Sequence, residues 1–501
     1  RDGQRPPSRD GQRPPSRDGP RRPAVAQPRH TAHRRDRADA VPGIIPHVTM
    51  TRSLRRARLH ELMDRETARF AADHPACRER FERAKRSLLD GVPMNWMVKW
   101  AGPWPLFVDQ ASGARLRCVD GQELVDFCLG DTGAMAGHSP ARTVEAVIRQ
   151  LPRGITHMSP TEDAITAGEE LQRRFGLRYW QFTITATDAN RFAIRLARML
   201  TGRPKILVHD HNYHGSVDET FAWLTPEGAV VARRGNVGPP VDLALTTRVV
   251  EINDLPATEA ALAHGDVAAV LIEPALTNVG IVLPDPGYHE ALREMTHRHG
   301  TILIIDETHT FCAGPGGFTR AYGLEPDMLT IGKSIGGGIP VGTYGFTEEL
   351  GERIRAAIGW EDADVGGIGG TLAGYALSMA AVRATLSEVL TDEAFARMIP
   401  LAERWAAGVD EVIRSRGVPW HVTRLGCRAE YHFMPHPPRD GAEEWANGDS
   451  ELERFLHLYV MNRGILMTPF HNMALMSPAT TEADVDRHTE VFAAAVDELF
   501  G

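Results

Sequence analysis

The chain has 501 residues, of which 42% are hydrophobic and 24% are charged, as in globular proteins with a large core. Its net charge of −9 argues against a nucleic-acid partner, and no apolar run approaches the roughly 18 residues of a membrane span. The five cysteines are scattered without a CxxC pair, which excludes a disulfide scaffold and the usual zinc spacings. We therefore expect a protein of a reducing, cytoplasmic compartment with no membrane partner.

Residues 1–49 differ from the rest in composition. RDGQRPPS occurs twice in succession, and eleven Arg and five Asp give this segment a net charge of +6, which leaves −15 on the remaining residues. Nine prolines and few large apolar residues cannot bury enough surface to offset the entropy of ordering. We predict a disordered tail, or translated upstream DNA with the true start at Met50. An Arg-rich nucleic-acid arm is the alternative, and the acidic body argues against it.

Residues 50–130 are predicted to contribute to a smaller domain. The pattern from Met50 to about Asp90 is charged, amphipathic and helical. The segment 105–127 alternates apolar and polar residues with two Gly-containing turn signals, which predicts an antiparallel meander.

Residues 131–384 are predicted to form a large α/β domain. Four apolar runs of strand length recur between helical patterns: KILVHD (205–210), VAAVLIEP (267–274), TILIID (301–306) and MLTIGK (328–333). Runs buried on both faces are typical of a doubly wound, mostly parallel sheet. Residues 385–501 mix helices with a few strands and end in a helix near 482–500, which predicts a smaller α+β domain.

The residues that end these strands carry the first chemical signal, because ligands bind at the carboxyl ends of parallel strands. Lys333 offers a nucleophilic amine, and Asp306 offers a carboxylate that needs a cationic partner such as a protonated pyridine. That pair is the minimum apparatus for pyridoxal phosphate (PLP) chemistry. The helix that follows FTITATDA (182–189) offers an anion site for the phosphate. Glu273 also ends a strand, and two roles are open for it: orienting a neighbour near the cofactor, or capping a helix or making a turn before Pro274; we do not predict it to be catalytic.

Four sequence blocks extend this signal. They are RLARMLTGRPKILVHDHNYHG, IEPALTNVGIVLPDPGYHEALREMTHRHGTILIIDETHT, YGLEPDMLTIGKSIGGGIPVGTYGF and GGTLAGYALSMAAVRATL. Their order and spacing resemble class III (fold type I) PLP-dependent aminotransferases, closest in pattern to glutamate-1-semialdehyde 2,1-aminomutase and the β-amino-acid aminotransferases. The resemblance implies PLP fold type I, with the smaller domain built from both chain ends.

The resemblance also implies roles for individual residues. Lys333 forms the aldimine with PLP and shuttles a proton, and Asp306 keeps the pyridine nitrogen protonated. Thr371 reaches the phosphate from a neighbouring subunit, which makes the protein a homodimer with shared active sites. The other implied cofactor contacts are Ala186 and Thr187 at the phosphate, Tyr213 and Thr308 on the two ring faces, and Asn278 and His309 at the 3′ oxygen.

Several positions depart from the family pattern. Thr185–Ala189 reads TATDA where SG(T/S)EA is usual, so Ala186 requires a negative φ. Thr308 and His309 replace the usual Val and Met or Gln. Lys99 stands where the aminomutases carry a carboxylate-binding Arg, and Met473 stands where they carry an acidic residue.

The substrate side is predicted from a few residues. Lys99, with Trp96 and Trp100 beside it, suits a carboxylate attached to an apolar group, and Arg428 is a second candidate for a carboxylate. Packing alone is the alternative for the two tryptophans and for the arginine.

These features predict an aminotransferase that moves an amino group from a carboxylated donor, with β-amino acids as candidates, to an oxo acceptor. The alternatives are an aminomutase, which the missing acidic residue disfavours, a decarboxylase or racemase of the same fold, and a non-catalytic binding protein. A metal site at His209, His211 and His214 is a further alternative; no matching carboxylate is evident near them in sequence, so we predict no metal.

Overall fold

A computed structural model describes residues 54–358 and 366–501. The predicted tail at 1–49 lies outside the described residues, and so do residues 50–53 of the predicted helical segment. The chain divides by its contacts after Thr49, and all the described residues belong to the second unit, Met50–Gly501. In the described part of the chain, no helix is long and apolar enough to cross a membrane.

The N-terminal part of this unit contains two helices and the predicted meander. They are α1 (Arg56–Asp73), α2 (Pro75–Ala84), β1 (Val108–Ser112), β2 (Arg115–Cys118) and β3 (Glu123–Asp126). The three strands pair in an antiparallel manner, which confirms the meander. The predicted helical segment is broken at His74, because Pro75 begins a new helix, where its missing N–H costs no hydrogen bond.

The central part supplies the large sheet and its covering helices. In chain order they are α3 (Ala141–Gln150), α4 (Glu162–Phe175), β4 (Tyr179–Thr183), α5 (Ala186–Thr201), β5 (Lys205–His209), β6 (Ala222–Leu224), β7 (Val230–Ala232), β8 (Thr247–Val250), α6 (Leu255–Leu262), β9 (Val267–Ile272), α7 (Tyr288–Arg298), β10 (Ile302–Asp306), α8 (Gly317–Ala321), β11 (Met328–Ile331), β12 (Gly342–Phe346), α9 (Glu348–Ala357) and α10 (Ala376–Ala384). The sheet order is β4-β12-β11-β10-β9-β5-β8, and only β12 runs against the others.

The sheet is buried on both faces. Ile304 of β10 belongs to an apolar cluster that includes residues of α5, and the next residue, Ile305, belongs to a cluster that includes residues of α7. Successive side chains of a strand point to opposite faces, so each strand needs continuous apolar sequence. The four apolar runs predicted from sequence are β5, β9, β10 and β11.

The C-terminal part completes the smaller domain. Its elements are α11 (Asp392–Arg416), β13 (His421–Leu425), β14 (Arg428–His432), α12 (Gly441–Asn447), α13 (Ser450–Met461), β15 (Ile465–Leu466), β16 (Met473–Leu475) and α14 (Glu482–Phe500). Strand β15 pairs with β3 of the N-terminal meander, so both chain ends build this region. The predicted fold class is confirmed; the exact domain limits stay a prediction.

Candidate active site

A cavity of about 410 Å³ opens at the carboxyl edge of the large sheet. Seven of the residues predicted from sequence line it: Ala186, Thr187, Tyr213, Asp306, Thr308, His309 and Lys333. They come from the ends of β5, β10 and β11 and from the start of α5, which the parallel sheet brings to one edge.

Asp306, at the end of β10, is 3% exposed and held by three donors. His214 Nδ1 and Asn190 Nδ2 lie 2.9 and 2.8 Å from its Oδ2, and the Thr308 amide donates to its Oδ1 at 3.0 Å. Burial works to raise the pKa of Asp306, but these hydrogen bonds outweigh burial and hold the pKa below its usual range. The carboxylate is therefore ionised and fixed in orientation.

Lys333 follows β11 and has a left-handed backbone, with φ of 50°. Its Nζ donates to Asp131 Oδ2 at 2.8 Å and to the Asp131 carbonyl oxygen at 3.0 Å. His309 Nε2 is 2.8 Å from the same Nζ. Asp131 lies in the loop after β3, and burial, which works to raise its pKa, is outweighed chiefly by the charge of the Lys333 ammonium group, so the pKa lies well below the usual range.

The phosphate end of the predicted site is the start of α5. The Thr185 side chain caps this helix by accepting from the Asp188 amide at 3.3 Å, and Ala186 is its first residue, with no positive φ. The unusual alanine thus fits the loop without strain. Gly332 lets the Ala186 backbone come close, since a Cβ on Gly332 would lie 3.1 Å from the Ala186 nitrogen.

The two ring-face residues differ in their surroundings. Tyr213 is half-buried, and its amide donates to Glu273 Oε1 at 3.1 Å. Thr308 is buried, and its Oγ1 has no hydrogen-bond partner among the described residues. Burial raises the pKa of Glu273, which also accepts from Thr277 and lines the cavity. Of the two roles left open for Glu273, this position favours orienting a neighbour near the cofactor, because Glu273 lines the cavity and holds the Tyr213 backbone.

Two predicted cofactor residues lie elsewhere in the described chain. Asn278 lines a second cavity, of about 780 Å³, instead of the first. Thr371 is exposed and does not line the first cavity, so its predicted contact across a subunit boundary stays a prediction.

The second cavity holds part of the predicted substrate side. Lys99 lines it, with Nζ 5.5 Å from the centre of the Phe470 ring, and Trp96 packs edge-on against the same ring at 6.0 Å. Trp100 also lines this cavity. Met473, at the position where the aminomutases carry an acidic residue, is buried in β16.

Arg428 does not line either of these cavities. It is fully buried and donates to the Thr277 carbonyl at 2.8 Å and to Glu430 at 3.2 Å. Burial works to raise the pKa of Glu430, but His471 and Arg428 lower it to about 2. Both bonds use Nη2, whereas Nε and Nη1 are buried without a hydrogen-bond partner in the described chain, so the predicted contact of Arg428 with a substrate carboxylate stays a prediction.

The three histidines of HDHNYHG separate in the fold. His209 bonds the Tyr288 hydroxyl at 2.7 Å, and His214 bonds Asp306. His211 stacks on Trp223 and lies beside Asp210 and Glu251, with ligand atoms of the three within 4.8 Å of one another. The expectation that no matching carboxylate lies near these histidines is wrong. Strand β8 pairs with β5, so Glu251, just after β8, lies next to His211, just after β5.

Sequence reasoning missed Asp131 and Asn190, and it left His214 without a specific partner. Asn190 directly follows the segment FTITATDA (182–189), and His214 follows Tyr213 in HDHNYHG, so both lie next to residues with predicted roles. Asp131 had no such signal, because its loop reaches Lys333 only through the fold.

Comparison with known proteins assigns the family. The family model "Aminotransferase class-III" matches residues 96–496. The chain belongs to the class III aminotransferases. A glutamate-1-semialdehyde 2,1-aminomutase of Opitutus terrae is 35% identical over 84% of this chain and 98% of its own length.

Solved structures of class III enzymes and their relatives agree with the assignment. A glutamate-1-semialdehyde aminomutase of Pseudomonas aeruginosa PAO1 is 50% identical over 89% of this chain and 99% of its own, with a TM-score of 0.87, and a variant of it was solved with PMP. A β-phenylalanine aminotransferase of Variovorax paradoxus is 26% identical over 87% of this chain and 97% of its own, with a TM-score of 0.78.

PLP is the cofactor of this class III enzyme. The cavity suits it: an ionised Asp306 for the ring nitrogen, an amine on Lys333, and free amides at the start of α5 for the phosphate. The Thr308 Oγ1 that has no partner in the described chain is available to the bound ring.

Proposed function

We propose that the chain is an aminomutase that moves an amino group between carbons of one carboxylated amino aldehyde, of the glutamate-1-semialdehyde type. The 50% identity over 89% of the chain with the Pseudomonas aeruginosa aminomutase carries this proposal. Relatives at 30 to 35% identity with the same name support it. It takes precedence over the sequence-based expectation of transfer from a β-amino acid donor.

Lys333 and Asp306 have the central roles in the proposed reaction. PLP, when bound, supplies an electron sink for the carbon that carries the amino group. The Asp306 carboxylate, oriented by His214 and Asn190, keeps a proton on the ring nitrogen. The Lys333 amine moves a proton between the substrate carbon that carries the amino group and the C4′ atom of the cofactor.

The remaining proposed contacts with PLP come from residues that line the first cavity. The Thr187 hydroxyl and the first amides of α5 bind the phosphate, and Tyr213 and Thr308 flank the ring. We also propose a homodimer, in which Thr371 of one subunit completes the phosphate site of the other.

Lys99 is the proposed partner of the substrate carboxylate. It lines the second cavity together with Trp100 and Phe470, so one charged and one apolar surface face the same space. Lys offers a point charge instead of a bidentate fork, which allows carboxylates in more than one orientation.

A second candidate is intermolecular amino transfer, the main expectation from sequence. Met473 favours it, because the position where aminomutases carry an acidic residue is here a buried methionine of β16. Glu430 lines the second cavity but is paired with Arg428, so it does not replace the acidic residue that the aminomutases carry at the Met473 position.

The deciding experiment offers glutamate-1-semialdehyde alone to the PLP-bound protein. An aminomutase turns over many equivalents without a second substrate. A single equivalent of product, followed by loss of the visible band until an oxo acid is added, would reject the aminomutase and favour the aminotransferase. Lys333→Ala is the control, because it removes the reacting amine in both cases.

A further inference from the structure

The Lys333 amine meets a complete set of acceptors from the chain itself. An ammonium group has three N–H donors and no acceptor. The Asp131 carboxylate, the Asp131 carbonyl and His309 Nε2 supply three acceptors within 3.0 Å. The set matches the donors of a protonated lysine one for one.

The tautomer of His309 follows from this contact. Because Nζ only donates, His309 Nε2 accepts, and the ring proton is on Nδ1, which donates to Thr132 Oγ1 at 3.0 Å. Burial and the neighbouring Lys333 charge lower the pKa of His309 to about 3, so the ring is neutral. His309 is therefore held as a neutral acceptor for Lys333.

The backbone around Asp131 is arranged for the same contact. Asp131 and Thr132 have φ of 49° and 78°, and Lys333 has φ of 50°. Left-handed conformations of non-glycine residues cost energy and persist where the surroundings fix them. Asp131 Oδ1 is buried without a hydrogen-bond partner in the described chain, so the carboxylate is directed mainly at Lys333.

We propose that Asp131 is a positioning residue for Lys333: together with His309 it holds the amine in place between bond-forming events and favours a proton on Nζ. The proposal goes beyond the proposed function, because both candidate reactions depend on this amine. It rests only on the PLP site, so a wrong substrate assignment leaves it intact.

The visible spectrum of the PLP-bound, full-length protein tests this without any substrate. The midpoint pH of its spectral change reports the proton nearest Nζ. Asp131→Asn removes a negative charge 2.8 Å from Nζ, so the midpoint should fall by roughly 1 to 3 units. Asp131→Glu keeps the charge and should return the midpoint toward the parent value.

Asp126→Asn is the matched control. Asp126 is the last residue of β3, five positions before Asp131, and its carboxylate bonds His138 at 2.7 Å and the amides of Cys128 and Leu129 instead of Lys333, so the midpoint should not move. The other charged or titratable groups that act on Asp131 or His309 are His471, Arg428, Tyr213 and Cys128, and they are unchanged in every variant. An Asp131→Asn protein with a visible band and the parent midpoint would overturn the proposal.

If Asp131→Asn does not fold or bind PLP, variants of His309 test whether these acceptors position the Lys333 amine. His309→Gln keeps an acceptor for the amine, and His309→Leu removes it. The Leu variant should have the lower midpoint, with the Gln variant near the parent. Equal midpoints in parent, Gln and Leu proteins would show that these contacts only anchor the loop.

Discussion

The two cavities differ in how the chain builds them. The first, of about 410 Å³, takes Lys333 and Asp306 from the ends of adjacent parallel strands. The second, of about 780 Å³, combines Lys99 from the N-terminal segment with Glu430 and Phe470 from the C-terminal one. The large sheet fixes the positions of the first set, whereas Lys99 and Phe470 of the second set lie outside the strands and Glu430 lies on β14 of a small sheet.

On the proposed function, this difference separates the residues of the reaction from the residues that bind the substrate. Residues at strand ends are held by ladder hydrogen bonds and close packing, so the reactive pair keeps its geometry when loops change. Loop side chains change more freely, and binding residues are often found there. We therefore expect changes in the first cavity to affect every substrate and changes in the second to affect only binding of a given one.

The largest effect is expected for Lys333→Ala. Loss of the amine should lower kcat on the order of 10³-fold or more for every substrate and abolish the visible band of the PLP-bound protein. The measurement is kcat together with the absorption spectrum. A variant that kept its band and most of its turnover would place the reacting amine elsewhere.

The second largest effect on kcat is expected for Asp306→Asn. The substitution removes the anion that would face the ring nitrogen while keeping the size of the side chain, so kcat should fall roughly 10²-fold and PLP should dissociate more readily. Because the pKa of Asp306 is depressed, the stability that it contributes is present above its unfolded pKa and is lost as pH falls through the folded one. PLP titrations and turnover measurements at neutral pH would test the expected losses of PLP affinity and kcat. Unchanged affinity and turnover in the Asn variant would contradict them.

Lys99→Met tests the second cavity. Loss of an exposed cation should raise KM for a carboxylated substrate about 5- to 10-fold, with little change in kcat. Lys99→Arg is the matched control, since it keeps the charge. If KM in the Met variant equals that of the parent, Lys99 does not bind the substrate.

The smallest effect is expected away from both cavities, at Glu251. Burial and the neighbouring Asp210 raise the pKa of Glu251 to about 8, and burial raises that of Asp210 to about 6. Since the folded pKa exceeds the unfolded one, the stabilisation is complete below pH 4.5 and is lost as pH rises through about 8. Glu251→Gln should flatten the slope of the unfolding free energy against pH by about 1 kcal/mol per pH unit in this range, measured by urea unfolding, without changing kcat. A slope equal to that of the parent would mean that Glu251 titrates normally.

Some features followed from the sequence alone. The runs that became β5, β9, β10 and β11 were predictable because a strand buried on both faces must be continuously apolar. Lys333 and Asp306 were predictable as neighbours because the ends of parallel strands meet at one edge.

The tertiary structure alone decided the contacts between segments that are distant along the chain. Asp131 is 202 residues from Lys333, and Glu251 joins His211 only because β8 pairs with β5. The burial of Arg428 against Glu430 was equally invisible, because nothing in a strand pattern says which neighbour a charged side chain meets. Periodicity specifies the face and the end of an element, but the partner across a loop or a domain depends on how the elements pack.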